Sequence, residues 1–64
     1  MKDWQQRLIL EESELQEKLE GLNDFINLSD EYKNVTIGEK LLLKDQRVAM
    51  ATYIKILRER IKRI

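Results

Sequence analysis

Five residues of this chain have the types and spacing to hold a phosphate-bearing ligand: Arg47, Arg60, Tyr53, Gln46 and Glu12. A guanidinium is planar and permanently charged, and its fork of N–H donors engages two phosphate oxygens at once. A tyrosine ring gives a nucleobase a face to stack on, and Trp4 offers another. Gln46 carries both a donor and an acceptor, enough to read a base or ribose edge. Glu12 is suited to fixing an arginine in place. The same arginines also have a plainer use. A half-buried Arg47 needs an acid partner, and Glu12, Glu17 or Glu20 of a packed helix would serve.

Catalytic chemistry finds little support. The chain has no His and no Cys, which removes the commonest general base, the commonest zinc ligand and any thiolate. Glu14, Glu17 and Glu20 share a helical face but lack the Glu-x-x-His pattern of di-iron bundles. They read as a solvated acidic face. No catalytic residue, no metal ligand and no cofactor is expected, and the chain is not expected to be an enzyme.

These candidates must be positioned by helices. There is no Pro, and there are only two Gly, in 64 residues. Apolar residues fall at Trp4, Leu8, Leu15, Leu19, Leu22 and Ile26, on one helical face. A second stripe runs Leu43, Met50, Ile54, Leu57, Ile61, Ile64. Each stripe lacks one apolar member, at Glu11/Glu12 and at Gln46/Arg47. Asp3 is the expected cap of the first helix, with Gln6 as a weak capping box. Thr36 and Glu39 form the capping box of the second. Between the helices, Ser29 is placed to cap a short turn carrying Tyr32, and Leu28, Tyr32 and Val35 are expected to close that end. The expectation is all-α: residues 1–64 as one hairpin, with a helix over about 3–27, a linker over about 28–36 and a helix over about 37–63. Antiparallel pairing sets Leu22 near Leu43, Leu15 near Met50, Leu8 near Leu57 and Trp4 near Ile61.

Formal neutrality hides a dipole. Residues 1–31 hold nine acids against three bases, and residues 32–64 hold nine bases against three acids. Ile9, Leu10, Phe25, Leu28, Leu41, Leu42, Val48, Ala49, Ala51 and Ile56 lie off the two stripes, and two helices cannot cover them. Chains of this size are marginal alone, and exposed apolar surface marks an interface. The first partner expected is the chain itself, as a homo-oligomeric helical bundle. Duplex nucleic acid is disfavoured, because the acidic arm lies beside the basic one. No membrane partner is expected: no run reaches the roughly 18 apolar residues of a span. A soluble, intracellular protein is expected.

The run Glu11-Glu12-x-x-Leu15-x-x-Lys18-Leu19-x-x-Leu22-x-x-Phe25-Ile26, followed by Glu39-x-x-Leu42-Leu43-x-x-Gln46-x-x-Ala49-Met50-x-x-Tyr53-x-x-Ile56-Leu57-x-x-Arg60-Ile61, resembles a family of very small tailed-phage and prophage helical proteins. That family is described as crAss-like-phage-related proteins of unknown function. Its distinctive polar members here are Glu12, Lys18, Gln46, Tyr53 and Arg60. The stretch Asn34-Val35-Thr36-Ile37-Gly38 departs from the family's short hydrophobic linker. In architecture alone, the hairpin is also similar to the phage sponge proteins that oppose CBASS and Thoeris immunity.

The sponge resemblance implies a phage accessory, counter-defence protein in the cytoplasm of an infected bacterial host. It would sequester a cyclic nucleotide or ADP-ribose-type signal between protomers without hydrolysing it. Arg47 and Arg60 would hold phosphate, Gln46 would read an edge, Tyr53 would stack, and Glu12 would position an arginine. These roles come from helical geometry and not from the sponges. The alternative is a protein–protein interaction module that inhibits or scaffolds a host or phage protein.

Overall fold

The computed structural model describes residues 2–64. Two long helices, α1 (Asp3–Leu28) and α2 (Ile37–Ile61), flank a short 3-10 helix, Asp30–Asn34. Every regular element among the described residues is helical. The two helices fold back on each other into a rod of 46 × 16 × 14 Å.

The ends of the elements follow from local hydrogen bonding. Ser29 Oγ accepts from the Glu31 amide at 3.2 Å, which starts the 3-10 helix as the serine's position suggested. Thr36 Oγ1 accepts from the Glu39 amide at 3.2 Å and caps α2. The start of α1 differs from expectation. Lys2, not Asp3, is the cap residue, and its amide donates to Gln5 Oε1 at 3.0 Å. Asp3 instead lies in the first turn, where a carboxylate suits the positive end of the helix dipole.

The two stripes meet, but one partner helix hides little. Only Leu8, Ile54 and Leu57 fall to 3% exposure or less among the described residues. They cluster toward the open end of the hairpin. Leu15, Leu19, Leu22 and Ile26 on α1, and Leu43, Met50 and Ile61 on α2, are half-buried. Trp4 departs from its expected place on the stripe. It is 51% exposed, because it sits in the first turn of α1, opposite the last turn of α2.

The closed end also corrects the sequence reading. Leu28 is 77% exposed and does not close the bend. Phe25, expected off the stripe, does so. Its ring meets Tyr32 edge to face at 5.9 Å between centroids. Lys40 Nζ lies 4.9 Å from the Tyr32 centroid on the other helix, a cation–π contact that ties the turn to α2. The Tyr32 hydroxyl is buried without a hydrogen-bond partner among the described residues.

Candidate functional site

Consecutive residues of a helix project about 100° apart. Glu11 and Glu12 therefore reach around the α1–α2 seam on different sides, and each finds its own partner. Glu11 Oε1 accepts from the Tyr53 hydroxyl. Glu12 Oε1 accepts from Arg58 Nε at 2.9 Å, and Arg58 Nη2 donates to Gln16 Oε1 at 3.0 Å. The apolar gap in the α1 stripe is thus filled by two polar clasps, one on each flank.

The first clasp changes the chemistry of its phenol. The Tyr53 pKa is raised above its ordinary value, chiefly because the Glu11 carboxylate accepts the hydroxyl proton's hydrogen bond. Loss of hydration and the Glu11 charge push in the same direction, and the positive field of Arg60 opposes them.

Arg60 lines an open groove of about 310 Å³ together with Lys55, Ile56, Glu59 and Arg63. The acid in this group, Glu59, is bonded to Lys62 Nζ at 3.1 Å. The side chains around the groove therefore carry a net positive charge, while most of its own surface is apolar, from Ile56 and the aliphatic stems of the long side chains.

The five expected site residues do not all converge within one chain. Gln46, Tyr53 and Arg60 follow one another at seven-residue steps, so they line up along one flank of α2. Gln46 is exposed, and its Nε2 donates to Met50 Sδ, one turn further on, at 3.9 Å. Glu12 pairs with Arg58, which lies on the flank opposite Arg60. Arg47 is half-buried on the inward stripe. Among the described residues the ion pairs are Asp30–Lys33, Glu12–Arg58 and Glu59–Lys62, so none joins Arg47 to Glu12, Glu17 or Glu20. Arg47 and Arg60 are thirteen residues apart, about 20 Å along the axis. One phosphate cannot touch both within a single hairpin.

Four residues of this region were not among the five expected site residues: Glu11, Arg58, Lys55 and Arg63. The antiparallel register held a signal for the first two. It places Glu11 and Glu12 opposite the turn that carries Tyr53 and Ile54, one turn from Arg58. Among the described residues, no group of three or more Asp, Glu, His or Cys side chains is placed to hold a metal ion. Among the described residues, no helix is long and apolar enough to cross a membrane.

A family model described as Sequestin matches residues 2–63, and the chain belongs to that family. No curated protein and no solved structure matches it.

Proposed function

We propose that this member of the Sequestin family binds and sequesters a small phosphate-bearing nucleotide signal without hydrolysing it. The observation that carries the reading is the family match over residues 2–63, whose name suggests sequestration. The cationic groove of Lys55, Arg60 and Arg63 supplies the chemical class of the cargo. Gln46 and Tyr53, on the same flank as Arg60, supply an edge reader and a stacking face. The context proposed is that of a phage counter-defence protein acting on a cyclic nucleotide or ADP-ribose-type immune signal in the cytoplasm of a bacterial host.

Oligomerisation belongs to the same proposal. Leu10, Leu41, Leu42, Val48 and Ile56 are exposed, and a rod with so small a core gains stability by covering them. Arg47 of one copy and Arg60 of another can share a ligand where a single chain cannot. Calorimetric titration with cyclic dinucleotides, cyclic trinucleotides and ADP-ribose derivatives tests the reading. Binding of one class, with the ligand recovered intact, is expected. A folded oligomer that binds none of them contradicts it.

The exposed Ile37, Leu41 and Val48, spaced along the other flank of α2, favour a second reading as a protein-interaction module. One stoichiometric protein partner that withstands nuclease and high salt, with no nucleotide bound, supports that reading.

A further inference from the structure

The acid beside Tyr53 is unused by the reading above. The Tyr53 hydroxyl donates to Glu11 Oε1 and joins the two helices at that point. One heptad further on, about 10 Å along the axis, Arg60 opens onto the groove that Lys55 and Arg63 also line. The two ends of the flank differ in charge. A carboxylate stands at the Tyr53 end, while the guanidinium groups of Arg60 and Arg63 stand at the other. A phosphate placed at the Tyr53 end would face Glu11 at close range, a repulsion that grows as water is excluded. An uncharged group bearing hydroxyls meets the opposite situation. It finds a carboxylate able to accept hydrogen bonds, as acidic side chains do from ribose hydroxyls in dinucleotide sites.

We propose that Glu11 is a positioning residue that sets the polarity of the ligand site. It holds the Tyr53 ring on the flank of the hairpin and reserves that end for the uncharged, planar part of the ligand, so that phosphate lies at Arg60 and Arg63. The inference rests on the phosphate-binding reading given above. Glu11 holds the ring by its hydroxyl, at its edge, and the residue stays 43% exposed, so part of it remains accessible to a ligand. The field of Arg60 reaches the Tyr53 phenol, where it acts against Glu11, so the two ends lie within electrostatic range of each other.

The test titrates wild type, Glu11→Ala and Glu11→Gln with inorganic pyrophosphate and with ADP, by calorimetry at one fixed ionic strength. Wild type binds ADP more tightly than pyrophosphate. Glu11→Ala frees the ring and lowers that preference about fivefold. Glu11→Gln keeps an acceptor for the phenol and removes the charge, so it keeps most of the preference and binds pyrophosphate about two- to fivefold more tightly. An unchanged preference in Glu11→Ala overturns the role of Glu11 and leaves the phosphate reading standing. Failure of folded wild type to bind either probe overturns the role of Glu11, and the phosphate reading is then decided by the titration with cyclic nucleotides and ADP-ribose derivatives. Circular dichroism reports whether each variant is folded. Where Glu11→Ala does not fold, Glu11→Gln decides, and unchanged pyrophosphate affinity there overturns the proposal. Absorbance titration of tyrosinate gives a readout free of ligand. Tyr53 ionises at lower pH in Glu11→Ala than in wild type, and coincident curves overturn the clasp.

Discussion

Arg58 reaches across the helix seam to Glu12, Nε to Oε1 at 2.9 Å. The Glu12 side chain is 19% exposed and that of Arg58 55% exposed. The acid is held in the seam and the base stays largely in water. Such a pair is worth less than a buried one, because solvent screens the outer partner. A double-mutant cycle on Glu12→Ala and Arg58→Ala, followed by chemical denaturation, is expected to return a coupling of about 0.5–1 kcal/mol. Adding Gln16→Ala is expected to remove a further part of the Arg58 contribution and none of the remainder in Arg58→Ala. Additive single effects would show that the pair does not form in solution.

Gly21 lies inside α1, and a Cβ built there meets nothing within 4 Å. Within one hairpin it is a tolerated surface glycine. Gly21→Ala is therefore expected to stabilise the chain by about 0.5–1 kcal/mol, by helix propensity alone. Denaturation at several protein concentrations checks this. A loss of stability that grows with concentration would show a second chain packed against that site.

Tyr32 contributes through its ring, which meets Phe25 and Lys40, and its buried hydroxyl has no partner among the described residues. Removing an unsatisfied buried polar group is neutral or favourable when the ring stays. Tyr32→Phe is expected to leave the melting temperature unchanged or to raise it, while Tyr32→Ala lowers it by losing both aromatic contacts. A clear drop in Tyr32→Phe would mean that the hydroxyl is bonded in solution.

How far the fold was legible follows from these same residues. Periodicity fixed which faces of α1 and α2 meet, because the buried Leu8, Ile54 and Leu57 all lie on the two stripes it marks out. The caps at Ser29 and Thr36 were readable because a single oxygen, placed two or three residues before an amide, settles the geometry. What escaped lay where several side chains compete within one turn. Phe25 and Leu28 are three residues apart, and only packing against Tyr32 chose between them. Glu11 and Glu12 are adjacent, and only the way α1 faces α2 in the folded hairpin shows that the first meets Tyr53 and the second Arg58. The groove at Lys55, Arg60 and Arg63 was half visible in the excess of bases over residues 32–64. The separation of Arg47 from Arg60 was implied by their thirteen-residue spacing, but its consequence depends on the hairpin geometry.

The Tyr53–Glu11 clasp makes alkaline stability a further readout. The folded phenol has its pKa raised above the ordinary tyrosine value, with the Glu11 hydrogen bond as the main cause. The folded state therefore keeps that proton to higher pH than the unfolded chain does. The contribution is fully present below pH ~10, the ordinary tyrosine range, and is lost as pH rises through the folded value. Wild type is expected to lose more stability above that point than Tyr53→Phe, measured as the difference between their denaturation midpoints across pH. Parallel curves would show that the clasp does not persist in water.

The most direct test is native mass spectrometry of the folded protein mixed with the ligand class that titration selects, followed by heat release and identification of what was bound. Capture of that nucleotide by an assembly of more than one chain is expected, together with its release unchanged in mass. A single chain that carries no nucleotide, or a released molecule that has been cleaved, would contradict sequestration.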